Sequence, residues 1–151
     1  MSFIVRKASV EDTLPLQHFI VKTGMDKLPA MVDWTSFLIA ENNSGEFAAV
    51  VRIQQLTDSI GLLRTLIVDS KKITTLFILE FIEASVKYAQ ERGIYKLYLL
   101  AAGESGFLSP LGFTKIAEEY LPAELLEAED VKGHVKKQLP VFLYDQRPGT
   151  Y

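Results

Sequence analysis

The sequence predicts a mixed α+β fold, and three observations carry that reading. A hydrophobic content of 48% over 151 residues suits a single domain with a well-filled core, burying about two-thirds of its unfolded surface. Short β-branched and aromatic runs bounded by turn residues read as strands, while longer stretches with apolar residues at helical spacing read as helices. Their order is strand, one or two helices, three strands, helix, strand, short helix, two strands. That is neither a pure βαβ alternation nor an all-β array.

Each element has a local reason. Ser2–Lys7 alternates as a strand does. Ser9-Val-Glu-Asp12 sets a capping residue three positions before an acidic one, and a helix follows to about Thr23 with Leu16, Phe19 and Ile20 on one face. Pro15 falls in its first turns, where proline is tolerated, and Gly24 ends it. Met25–Val32 reads as a short helix broken by Pro29. Ser36–Glu41, Phe47–Gln54 and Ile60–Val68 are strands. The turns Asn42-Asn-Ser-Gly45 and Thr57-Asp-Ser59 are of hairpin length, which makes the three antiparallel. A helix over Ile73–Arg92 stops at Gly93. Its apolar face, with Phe77, Phe81, Ala84 and Tyr88 flanked by Ile78, Ile82, Val86 and Ala89, is a packing face. A strand over Lys96–Ala101 and a turn-helix closing on Leu111-Gly112-Phe113 come next. A short strand, a helix near Ala123–Asp130 and a last strand, Pro140–Tyr144, complete the pattern, and Gln146–Tyr151 is expected to fray.

Composition excludes several classes. Net charge is −3, without the basic excess of a nucleic-acid binder. No apolar run reaches the about 18 residues that span a bilayer, and MSFIVRKASVED lacks the apolar core of a signal peptide. The chain has no Cys, hence no disulfide framework and no thiolate zinc site. His18 and His134 stand alone, without metal-ligand spacing. The expectation is a cytoplasmic protein with no metal, no membrane and no nucleic-acid partner.

The run Leu62–Phe113, LLRTLIVDSKKITTLFILEFIEASVKYAQERGIYKLYLLAAGESGFLSPLGF, resembles the acyl-CoA-binding half of the GNAT acetyltransferase superfamily. The opening IVRKASVED followed by Leu14-Pro15 is also similar to that family. The resemblance implies a GNAT-like mixed central sheet of about six to seven strands with helices on both faces, and a single such domain over residues 1–151. It implies acetyl-CoA as cofactor and transfer of an acetyl group to a small amine or amino acid. The family's strand–helix junction reads V-x-x-x-x-R/Q-G-x-G-x-G/A. Aligned without gaps from Val68 to Gly93, those positions here hold Ile73, Thr74, Leu76 and Ile78.

The resemblance also names candidates. Leu66-Ile67-Val68 matches the L-x-V strand whose backbone pairs with pantetheine, so Leu66 and Val68 are cofactor-binding candidates. Lys71 and Lys72 bring two cations to the start of the helix, and Thr74 and Thr75 bring hydroxyls and N–H groups where a helix dipole favours phosphate. The family's proton-donating Tyr, in Y-x-x-L-G-F, is replaced by Leu108. Ser105 and Ser109 are the hydroxyls left nearby, although Ser109-Pro110 also suits a turn. No carboxylate lies on Leu62–Val68. Its one charge, Arg64, suits bidentate pairing with a substrate carboxylate, or a structural ion pair. Trp34 suits a pocket wall or a packed aromatic. Glu41, Glu46 and Glu104 are loop-edge carboxylates without a pattern, and Glu118-Glu119-Tyr-Leu-Pro122 is similar to the C-terminal part of amino-acid N-acetyltransferases. The apolar run Leu76–Leu79 either fills space that the cofactor takes in relatives or forms an interface, such as that of a homodimer. Two functions stay open: an N-acetyltransferase, and a catalytically silent GNAT-like binding or assembly protein.

Overall fold

The computed structural model describes residues 3–23, 33–69, 71–72, 74–100 and 106–145. Its strands are β1 (Ile4–Lys7), β2 (Phe37–Glu41), β3 (Phe47–Gln55), β4 (Ile60–Val68), β5 (Lys96–Leu100), β6 (Thr114–Ile116) and β7 (Val141–Asp145). They form one seven-stranded sheet in the order β1-β2-β3-β4-β5-β7-β6. The helices are α1 (Thr13–Thr23), α2 (Thr75–Glu91), α3 (Ala123–Leu126) and α4 (Glu129–Lys136). The chain divides into two compact units, one of Met1–Ile53 with Thr65–Ser85, the other of Gln54–Arg64 with Val86–Tyr151. β4 and α2 each contribute residues to both.

In the first unit β1 and β2 are antiparallel, from Ile4↔Glu41 to Lys7↔Leu38, and β2 and β3 are antiparallel from Phe37↔Arg52. The helical spacing of Leu16, Phe19 and Ile20 lays one stripe of α1 into a core with Phe37, Ile39 and Val50. Full burial of such a side chain stabilises the fold by about 1.5–3 kcal/mol. The alternate residues Leu38, Ala40, Ala49 and Val51 are buried too, so both faces of this part of the sheet are covered. The expected cap before α1 is present: the Asp12 carboxylate accepts the Ser9 N–H at 2.7 Å. A 3₁₀ turn over Val10–Asp12 leads into the helix.

In the second unit β4 and β5 are parallel, with rungs from Ile60↔Lys96 to Leu63↔Leu99. β5 pairs antiparallel with β7, and β7 with β6. Leu62, Tyr98, Leu121, Leu125, Val131 and Val141 form its core. Gly93, at φ +83, ends α2 as expected. The Gly93 N–H donates to Gln90 O and the Ile94 N–H to Ala89 O, each at 3.0 Å, which is the glycine stop that occupies a helix's last carbonyls.

Three expectations need correction, and one turn is new. The single helix expected over Ala123–Asp130 is two helices, α3 and α4, because Ala128 is extended (φ −77, ψ 131) and starts the second, which runs on to Lys136. The helix expected from Ile73 begins at Thr75, with Thr74 as its cap. The turn-helix before Phe113 is a 3₁₀ segment, Gly106–Leu111. Trp34–Ser36 is a 3₁₀ turn that the sequence reading did not foresee, made by Asp33 Oδ1 accepting the Thr35 N–H at 3.0 Å. The expected helix Met25–Val32, the Gly24 stop, Ala101 and the tail Gln146–Tyr151 lie outside the described residues.

Candidate cofactor site

The strand–turn–helix junction from Leu66 to Thr75 lies within the first unit. Leu66, Ile67 and Val68 are half-buried at the end of β4, and Ile67 packs against the α1 core. The turn that follows is pinned at both ends. The Asp69 N–H donates to Ala48 O at 2.8 Å and the Lys72 N–H to Asp69 O at 2.9 Å. Asp69 Oδ1 accepts the Lys71 N–H at 3.1 Å, an Asx turn of the kind that short polar side chains make. α2 then begins. Thr74 Oγ1 accepts the Phe77 N–H at 3.3 Å and Thr74 O accepts the Ile78 N–H at 3.2 Å.

A helix start leaves its first N–H groups without intrahelical acceptors. Here Thr74 takes that of Phe77. Lys71 is exposed. Lys72 is engaged: its Nζ lies 3.5 Å from Glu46 Oε2. The Glu46 carboxyl is held below its ordinary range, first by the Asn42 side-chain amide and then by the Lys72 charge. Leu76, at 65% exposure, projects into solvent where the family has a residue without a side chain. The donor set of backbone N–H groups and two lysines suits a phosphate anion. Deep approach to the backbone is restricted, because no glycine occurs between Val68 and Gly93.

The remaining sequence candidates have surroundings of their own. Trp34 stacks on Phe37 at 5.6 Å between centroids, with 13° between planes, and packs against the α1 core. In this arrangement it is a packed aromatic. Arg64, half-buried on β4, and Ser109 belong to the second unit. Ser109 is exposed in the 3₁₀ segment, where its carbonyl accepts the Gly112 N–H at 3.0 Å. Leu108, at the position of the family's Tyr, is 1% exposed and is a core residue. Tyr98 is buried. Ser105 and Glu104 lie outside the described residues. His134 Nε2 is 2.8 Å from Pro140 O. Among the described residues there is no cluster of His, Cys, Asp and Glu able to hold a metal, and no helix is long and apolar enough to cross a membrane. The second unit also contains a cleft of about 190 Å³, whose lining includes Lys115, Ile116, Glu118, Leu121, Val135 and Val141.

Sequence reading missed two members of the junction, Glu46 and Asp69. Asp69 follows directly on the strand and had a local signal. Glu46 meets Lys72 across 26 positions, so nothing near it in the chain announced the pair.

No family model matches the chain, and no curated protein matches it in sequence. Solved structures do match in fold. N-acetylglutamate synthase from Neisseria gonorrhoeae, in complex with coenzyme A and N-acetyl-glutamate, superposes with a TM-score of 0.74 at 14% identity. The match covers 97% of this chain and 36% of that one, so the chain spans about a third of the length of the synthase. Rv2747 from Mycobacterium tuberculosis, in complex with CoA and a second ligand, matches at a TM-score of 0.73 and 17% identity, over 95% of this chain and 99% of that one. A GNAT-family acetyltransferase from Staphylococcus aureus Mu50 matches at 0.71 and 15%, over 97% of this chain and 100% of that one. The α+β architecture read from the sequence is thus the fold of the GNAT acetyltransferases, in a chain of low sequence identity to them.

Proposed function

We propose that the chain is an acyl-CoA-dependent N-acyltransferase acting on a small amine or amino acid, with all 151 residues serving as one catalytic domain. One observation carries the reading: the GNAT likeness extends over 95–97% of the chain, to proteins solved with CoA. Acetyl-CoA would supply an acetyl group activated as a thioester. The chain's own residues then have separable tasks. The backbone of Leu66–Val68 pairs with the pantetheine arm, as the family resemblance suggests. The N–H groups of Thr75 and Leu76 and the charges of Lys71 and Lys72 bind the phosphates. Transfer to a neutral amine would need a proton for the departing thiolate, and with Leu108 at the position of the family's Tyr that proton would come from solvent. Arg64 is the candidate for a substrate carboxylate.

Calorimetric titration with acetyl-CoA and a thiol-release assay over a panel of amines and amino acids test this reading. Binding with amine-dependent release of CoA is expected. Binding without release from any amine favours the second reading, a silent GNAT-like binding protein. Buried Leu108 in place of the Tyr and the side chain of Leu76 at the junction point towards that second reading. Absence of binding at millimolar acetyl-CoA removes the enzyme.

A further inference from the structure

We propose that Glu46 is a gate on the phosphate side of the cofactor site: its carboxylate holds Lys72, and a phosphate ligand must take that cation from it. The proposal rests on the acyl-CoA reading above and adds a residue that sets affinity for the phosphates.

The two partners are presented by neighbouring turns of the first unit. The β2–β3 turn fixes Glu46. Asn42 Oδ1 accepts the N–H groups of Ser44 at 2.9 Å and of Glu46 at 3.0 Å, and the Asn42 N–H donates to Glu46 O at 2.9 Å. Asn42 Nδ2 donates to Glu46 Oε1 at 3.1 Å. Gly45, at φ +80, allows the backbone to close that turn. The second turn is sewn to β3 by the Asp69 N–H on Ala48 O, two residues past Glu46. Lys72 therefore starts from a fixed backbone, and its Nζ reaches Glu46 Oε2 at 3.5 Å. Side-chain exposures are 25% for Lys72 and 59% for Glu46: the lysine is mostly covered and the acid is open to solvent. One carboxylate oxygen is committed to Asn42 and the other to Lys72, so Glu46 is an oriented anion. The Asn42 side-chain amide and then the Lys72 charge hold its carboxyl below the usual range.

An anion arriving at this junction meets two obstacles from one residue. Glu46 repels it, and Glu46 occupies the cation that would attract it. Lys71, exposed, stays as the first contact. Removing the charge of Glu46 frees Lys72 and ends the repulsion. Exposed ion pairs of this kind are weak, so the expected gain in CoA affinity is about two- to fivefold. The gain should fade at high salt, where such interactions are screened.

The experiment is calorimetric titration of CoA into four proteins at low and high salt: the parent, Glu46→Gln, Lys72→Gln and the double variant. The expected result is tighter binding by Glu46→Gln at low salt, with most of the gain lost when Lys72 is also Gln. An equal gain in both backgrounds would show that Glu46 acts by charge alone and would overturn the gate, as would an unchanged affinity in Glu46→Gln. CoA binding that ignores Glu46 overturns the gate and leaves the acyl-CoA reading standing. No binding by any of the four proteins overturns both.

Discussion

Arg6 joins three elements through one guanidinium. It donates to both Asp12 oxygens, at 2.8 and 2.9 Å, and to both Glu41 oxygens, at 3.1 and 3.3 Å. The Arg6 hydrogen bonds lower the Asp12 carboxyl from 3.8 to about 2, and the Ser9 N–H adds to the effect against the opposing cost of burial. A depressed carboxyl contributes stability that is present above its unfolded value and lost as pH falls through its folded value. The window here runs from about pH 4 down to about pH 2. Arg6 is 34% exposed at its side chain, so the full linkage value is discounted to about 1–2 kcal/mol. Asp12→Asn should lose that amount at neutral pH in urea unfolding, and its deficit against the parent should shrink as both approach about pH 3. A deficit independent of pH would mean that the lost cap, and not the ion pair, sets the cost. Gly112 offers a second test at this scale. It lies at φ +101, and an added Cβ would fall 2.9 Å from the Tyr144 ring, which itself packs on Phe113 at 5.4 Å. Gly112→Ala should cost about 1–3 kcal/mol in denaturant unfolding.

At the scale of elements, α2 begins with a cap, Thr74 Oγ1 accepting the Phe77 N–H, next to the proposed phosphate contacts. Thr74 serves as cap, so Thr74→Gly should cost only a few tenths of a kcal/mol. Leu76 is largely in solvent, so Leu76→Gly should cost about 1 kcal/mol, from helix propensity and not from packing. If the missing glycines limit the cofactor, this less stable double variant should nevertheless bind CoA more tightly than the parent. Paired urea and CoA titrations decide it, and lower stability with no gain in affinity would refute the idea. The elements that were legible in the sequence are those fixed by contacts a few residues apart: the cap at Ser9–Asp12, the stop at Gly93, and the hairpin turns around Gly45 and Ser59. The illegible ones depend on distant partners or on backbone choices that composition does not force. Ala128 is a good helix former, yet it is extended and splits α3 from α4. Nothing near Lys72 in the chain announced that the β2–β3 turn sets Glu46 beside it.

For the whole molecule, mass action supplies the test. At a hundredfold excess over Kd, acetyl-CoA should add about 2.7 kcal/mol of stability, read as a rise in melting temperature, with amide exchange slowed at the end of β4 and the start of α2. A rise without that local protection would place the ligand elsewhere in the chain. The division of the chain has a consequence for its synthesis. The hairpin over residues 54–64 leaves the ribosome early but belongs with strands made much later, since the parallel rungs of Ile60–Leu63 wait for Lys96–Leu99. The N-terminal strands can settle as soon as Ser85 has emerged. A nascent chain stalled there would hold every residue of the first unit while Gln54–Arg64 still lacked Val86–Tyr151, and partly made chains of this kind are the ones open to aggregation.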